Sequence, residues 1–262
     1  MIHIEEFTNI KEVCSNVKKY ADILLEQGVL VLRNANLSEE DQNIVQQAFG
    51  SHLGIWPRLG EGQLNLYREG HVKKAAEGFG GDEVMLPWHM EHPQYNNPIC
   101  IGFWNMHTFD IENNENGKTY FYNMEKYYEK LSDEDKELLN SATSYKPDLG
   151  SYSAIGNHWY RNTPVIKALG YSELILDGQL ATGEQSLAYQ QLVGRITDTV
   201  ENDAKNRIVL KWEKGDLAIV DVYIMAHAVT GGFAPGDRKF TGLWSYKDKD
   251  QSVNADVDNA DH

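Results

Sequence analysis

The chain gathers its apolar residues into short runs separated by turn-forming residues. Val29-Leu30-Val31-Leu32, Ile99 to Met106, Lys118 to Tyr122, Leu174-Ile175-Leu176, Arg207 to Trp212, Asp216 to Asp221 and Phe240 to Tyr246 are rich in β-branched and aromatic side chains. Runs of that length are too short for helices and predict strands, and Gln63 to Arg68 gives a fainter signal of the same kind. Val29 to Leu32 is apolar at every position, which predicts a strand buried on both faces. Helical periodicity is confined to a few places. Ile10, Val13, Val17, Tyr20, Ala21, Leu24 and Leu25 recur at spacings of three and four over residues 10–26, and 184–202 is amphipathic. Ser38 before Glu39-Glu40-Asp41 predicts a capped helix start, and Ser132 before Asp133-Glu134-Asp135 predicts another, leading into Lys136 to Ala142. Short strands with helices at the start and as insertions predict a mainly β fold with helical decoration, built on a double-stranded β-helix or jelly-roll core.

With 262 residues, 41% of them hydrophobic, the chain can bury one large core, and a single domain is expected over residues 1–248. Residues 249–262 are polar and acidic and read as a disordered tail. Lys and Arg total 24 against 39 Asp and Glu, and this net charge of -15 opposes binding to nucleic acid or to an anionic membrane. A small-molecule substrate is the partner expected, and self-association into a homo-oligomer stays open. Cys14 and Cys100 have no paired spacing that suggests a disulfide or a thiolate metal site. The first residues lack a basic region before an apolar run, and no apolar stretch reaches the roughly 20 residues of a membrane helix, so a cytoplasmic setting is expected. Between Gly60 and Gly81 glycine, charge and alanine mix without period, which reads as a mobile loop; Gly70 to Leu86 is the candidate lid.

One segment carries chemistry. Pro87 and Pro93 exclude a continuous helix around Trp88-His89-Met90-Glu91-His92, so the segment is expected to be extended, with His89 and Glu91 pointing the same way. Two imidazoles and one carboxylate are the ligand set of a mononuclear non-haem iron site that leaves coordination positions open. A histidine followed two residues later by an acid is weak evidence alone: His3-Ile4-Glu5 repeats it at a terminus expected to fray. A hydrogen-bonded surface histidine and a solvated acid would satisfy the segment equally well. His227 supplies the third candidate, in the apolar setting Ile224-Met225-Ala226-His227-Ala228-Val229, where a hydrogen-bonded core histidine is the plainer alternative. Arg238 lies across a glycine-rich turn, and an antiparallel hairpin would return it to His227. A guanidinium beside an open metal position suits a dicarboxylate co-substrate; an exposed hairpin charge is the other reading.

The order of these pieces resembles the taurine dioxygenase-like, clavaminate-synthase-like family of iron(II)- and 2-oxoglutarate-dependent oxygenases. The likeness extends over nearly the whole chain, through Gly28 to Arg33, Trp88 to Glu91, Gly117 to Met124, Gly215 to Asp221, His227 and Arg238. The resemblance implies that His89, Glu91 and His227 bind iron(II) as the catalytic set. It also implies that Arg238 grips the distal carboxylate of 2-oxoglutarate, with Thr119 adding a hydroxyl hydrogen bond. Two departures bear on substrate. Most relatives carry Asp where this chain has Glu91, and Glu is typical of a subgroup acting on free amino acids and their derivatives. Sulfonate-binding relatives use a second arginine four residues after the first, whereas Gly242 stands there, so a taurine-like substrate is not expected.

The implied chemistry is oxidation of an unactivated C–H bond with succinate and carbon dioxide as co-products and dioxygen as the other co-substrate. Hydroxylation is the default outcome, with desaturation or ring closure open. Halogenation is disfavoured because Glu91 fills the position a halide needs. Asn65, Tyr67 and Trp104 are candidate substrate contacts, although aromatics at such spacings are more often core. His92 is read as either supporting the site or exposed. A zinc hydrolase using the same His, Glu and His set, or a non-catalytic jelly-roll binding protein, are the alternatives.

Overall fold

A computed structural model describes residues 2–57, 84–112, 116–234 and 236–249. The expected strand at Gln63 to Arg68, the irregular stretch from Gly60 to Gly81, most of the lid candidate, Asn65, Tyr67 and residues 250–262 lie outside the described residues. The chain opens with β1 (Ile2–Glu6), so the terminus expected to fray is a strand, paired in parallel with the next one. The apolar stripe over 10–26 forms two helices, α1 (Ile10–Ser15) and α2 (Val17–Gln27), rather than one. The break falls at Asn16, whose carboxamide donates to the Glu12 carbonyl at 3.0 Å and competes with the helical ladder. Gly28 ends α2 in the left-handed region at φ 81°.

The elements then run β2 (Val29–Arg33), α3 (Glu39–Leu53), β3 (Trp56–Pro57), β4 (Val84–His89), β5 (Ile99–Phe109), β6 (Thr119–Asn123), α4 (Met124–Lys130) and α5 (Asp133–Ser141). Ser38 and Ser132 cap α3 and α5 as expected, each accepting a backbone N–H three residues on at 3.1 Å. Four small strands follow with weak sequence signals, β7 (Thr143–Lys146), β8 (Gly150–Ser153), β9 (Ile155–Asn157) and β10 (Pro164–Ile166), and then β11 (Glu173–Leu176), which the run Leu174-Ile175-Leu176 led one to expect. The chain closes with β12 (Gln179–Leu180), α6 (Glu184–Asn202), β13 (Ile208–Leu210), β14 (Leu217–Val220), β15 (Met225–Thr230) and β16 (Arg238–Tyr246). Val84 to Leu86, read as part of a lid, belong to β4.

Two facing sheets build the jelly-roll core: a larger one in the order β1-β2-β14-β5-β16-β3 and a smaller one, β13-β6-β15-β4. The all-apolar strand β2 is buried on both faces because the larger sheet separates two cores. Val29 and Val31, with Ala218, Val220, Trp104 and Met106, face the smaller sheet, whereas Leu30, Leu32, Leu217, Ile219, Ile101 and Phe103 pack under α1 to α3. α3 is tied down by more than apolar contact. Gln42 is fully buried and donates to the Phe103 and Thr241 carbonyls of β5 and β16 at 2.9 and 3.0 Å, and Gln46 donates to the Trp244 carbonyl at 2.8 Å. The expected hairpin between β15 and β16 does not form. β15 pairs with β4 and β6 while β16 pairs with β5 and β3, so their connection crosses from one sheet to the other. No helix among the described residues is long and apolar enough to cross a membrane.

Candidate metal centre and co-substrate cavity

Strand pairing builds the centre from residues far apart in sequence. His89 is the last residue of β4 and stands opposite His227 in the β15 ladder, which sets the two imidazoles side by side with ring centroids 4.1 Å apart. Glu91 lies beyond the strand end, not on the strand as the extended reading had it, and the chain turns just after it at His92, where φ is 39°. Glu91 nevertheless converges with the histidines: one carboxylate oxygen is 3.5 Å from His227 Nε2 and the other 3.4 Å from His92 Nε2. His92, stacked on Tyr95 with centroids 4.5 Å apart, thus steadies the carboxylate from its far side.

The ring tautomers suit metal binding. His89 Nδ1 lies 2.8 Å from the Pro87 carbonyl and His227 Nδ1 lies 3.2 Å from the Met225 carbonyl. A carbonyl only accepts, so each Nδ1 carries the proton and each Nε2 presents its lone pair. One ligand atom from each of His89, Glu91 and His227 falls within 4.8 Å of the others. Two neutral nitrogens and one carboxylate on one side are a donor set that fits iron(II) with positions left open for further ligands. Burial opposes ionisation of Glu91, but whenever His227 carries a proton on Nε2 as well, its hydrogen bond and charge, helped by His92 and His89, outweigh burial and hold the carboxyl well below its ordinary range. By contrast His3 and Glu5 hydrogen-bond each other at 2.9 Å on β1 and Glu5 is taken up by Lys19, with no third ligand converging among the described residues.

Arg238 approaches from the opposite sheet. It is 2% exposed at the start of β16, and its guanidinium donates to Thr119 Oγ1 at 3.4 Å. Thr119 sits two residues from the His227 partner Phe121 on β6, so it shares the inward face with the histidine. Trp212 Nε1 donates to the same Thr119 oxygen at 2.9 Å, which leaves the threonine O–H as a donor. His89, Glu91, His227, Thr119, Trp212 and Arg238 line one cavity, walled further by Trp104, Phe240 and Trp244. Trp104, expected at the substrate, is 5% exposed and packs 5.2 Å from the His227 ring. Gly242 clears space for this wall: a Cβ there would come 2.5 Å from Trp244 Cη2. Where a second arginine would stand, an indole therefore fills the room. The sequence reading missed Trp212, Phe240 and Trp244, because nothing local links Trp212 to a threonine 93 residues away.

Comparison with known proteins agrees with this geometry. The family described as "Taurine catabolism dioxygenase TauD, TfdA family" matches residues 7–244. The chain belongs to that family. It is accordingly an iron(II)- and 2-oxoglutarate-dependent dioxygenase that uses dioxygen, and the zinc-hydrolase and non-catalytic readings fall away. Among solved structures it is similar to a taurine dioxygenase from Burkholderia xenovorans, at 15% identity and a TM-score of 0.68 over 94% of this chain and 88% of that one. PvcB from Pseudomonas aeruginosa is similar at 16% identity and 0.63, over 92% and 84%. AAD-2 in complex with Mn(II) and N-oxalylglycine is similar at 13% identity and 0.62, over 93% of both chains. At these identities the likeness shows the shared fold. No curated protein matches the chain. The segments 28–33 and 215–221 that carried the resemblance are neighbours in space, since β2 pairs with β14 and Arg33 forms an ion pair with Asp216.

Proposed function

We propose that the chain, as a single oxygenase domain over residues 1–248, oxidises an unactivated C–H bond of a free amino acid or an amino-acid derivative. Hydroxylation, desaturation or cyclisation would yield succinate and carbon dioxide as co-products. One observation carries this reading: His89, His227 and Thr119 on the smaller sheet, Glu91 just beyond its strand, and Arg238 from the larger sheet share a single cavity. His89, Glu91 and His227 would hold iron(II), which when bound supplies the activation of dioxygen coupled to 2-oxoglutarate decarboxylation.

Every other part of the task falls to the chain's own groups. Arg238 offers a fixed fork to the distal carboxylate, and the Thr119 hydroxyl donates beside it. The Pro87 and Met225 carbonyls hold the imidazoles in their ligating tautomer, and His92 orients Glu91. Trp104, Trp212, Phe240 and Trp244 keep water from the cavity, so that oxidation is directed to the positioned bond. Glu91 in place of Asp and Gly242 in place of a second arginine support an amino-acid substrate over a sulfonate. The test measures succinate released from 2-oxoglutarate by purified protein with iron(II) and ascorbate across amino-acid candidates. Substrate-stimulated release is expected, and Glu91→Ala should abolish it along with iron binding measured by equilibrium dialysis. Wild-type protein that neither binds nor turns over 2-oxoglutarate would defeat the assignment.

A further inference from the structure

Glu91 also borders a second cavity, enclosed by residues 92–99, β8, β9, Lys167 and Tyr223. Two of its groups lack the partners that burial normally demands. Lys167 follows β10 and is 6% exposed, with its Nζ donating to the Tyr223 carbonyl at 2.8 Å and lying 3.1 Å from the centroid of the Tyr223 ring. Asp221 acts on it only at longer range, being hydrogen-bonded to His158 Nε2 at 2.8 Å. That histidine is held in place by the backbone N–H groups of Tyr160 and Arg161, which donate to its Nδ1. Desolvation pulls the Lys167 ammonium down to about 7, against partial opposition from Asp221 and Cys100. The second group is Gln94, whose carboxamide oxygen and nitrogen are both buried with no hydrogen-bond partner.

A buried cation with no anion in ion-pair contact and a buried amide with neither end bonded are each costly. Their presence in one cavity is explained by a ligand that satisfies both. Gly156 on β9 makes room for these two side chains: a Cβ there would come 2.4 Å from the Tyr223 hydroxyl and 3.0 Å from Lys167 Cε. We propose that this cavity anchors the substrate through a free carboxylate, which takes an ion pair from Lys167 and an N–H hydrogen bond from Gln94, while the remainder of the molecule extends past Glu91. The proposal rests on the oxygenase reading above and narrows it to substrates bearing a free carboxylate. Lys167 and Gln94 are binding residues for that group. Neither contributes to the cavity that holds Arg238.

Full-length protein loaded with Mn(II) and N-oxalylglycine, which occupies the first cavity without turnover, is titrated calorimetrically. The panel holds L-amino acids and straight-chain monocarboxylates, each beside its carboxamide. At least one acid is expected to bind, with its amide at least about tenfold weaker, as loss of a buried charge partner implies. Lys167→Met should weaken that acid at least about tenfold and Lys167→Arg should restore much of it, while Gln94→Leu weakens it less. N-oxalylglycine affinity is the control for folding and should hold in every variant. Acid and amide binding equally, no acid binding, or Lys167→Met binding like wild type would each overturn the proposal. Failure of N-oxalylglycine to bind wild-type protein would instead strike the oxygenase reading, so the two failures are separable.

Discussion

Replacing Thr119 with Val tests the link between the sheets at its narrowest point. Thr119 is 1% exposed, and its oxygen accepts from Trp212 at 2.9 Å and from Arg238 at 3.4 Å. Valine keeps the shape and removes the acceptor, so the indole N–H of Trp212, itself 3% exposed, is stranded in an apolar cavity. Such an orphaned donor costs about 1–3 kcal/mol. The bond to Arg238 is long and adds little. For a chain of this size each kcal/mol lowers Tm by about 2–4 °C, which predicts a fall of about 2–12 °C in a thermal melt. Loss of the hydroxyl donor to a charged carboxylate is worth about 1.5–3 kcal/mol, or roughly ten- to hundredfold in 2-oxoglutarate affinity by calorimetry. Trp212→Phe supplies the decisive comparison. In Thr119→Val/Trp212→Phe both polar partners are gone, so the double variant should be more stable than the sum of the single effects by about 1–2 kcal/mol. Strictly additive effects, or a Thr119→Val protein with unchanged Tm and unchanged 2-oxoglutarate affinity, would refute the account.

Gly242→Ala places a methyl 2.5 Å from Trp244 Cη2 and should swing that indole out of its place. The expected result is a loss of about 1–3 kcal/mol in denaturant unfolding and a shift in Trp fluorescence that Gly242→Ala/Trp244→Ala lacks. Lys167 gives a pH signature. Its folded-state value of about 7 lies below the ordinary 10.5, so the unfolded chain binds more protons between these values and stability from this group rises with pH across that window. As pH falls through about 7 the contribution is lost. Wild type should therefore gain Tm relative to Lys167→Met from pH 7 upward, and parallel Tm–pH curves would contradict it.

The sequence by itself determined the strand and helix inventory wherever side-chain patterning is local. The all-apolar run at 29–32, the serine caps at 38 and 132 and the helix over 184–202 follow from periodicity and capping, which act between near neighbours; the prolines at 87 and 93 signalled an extended segment, of which only the part up to His89 is strand. Residue type and local context made His89, Glu91, His227 and Arg238 candidates, and the family resemblance joined them with Thr119 into one set. Neither revealed how they meet. β15 and β16 look like a hairpin in sequence, yet sheet pairing sends them to opposite sheets, so Arg238 reaches Thr119 across the core rather than around a turn. The strands β7 and β8 were invisible because Ser, Thr, Tyr and Gly take their strand character from partners, and β9 and β10 because three residues are too few to show a period, and with them went the cavity that holds Lys167. Trp212, Trp244, Gln42 and Gln94 likewise gain meaning only from neighbours distant in the chain. Burial and cross-sheet hydrogen bonding are properties of the folded assembly, and they alone decided which polar groups are satisfied and which are left for a ligand.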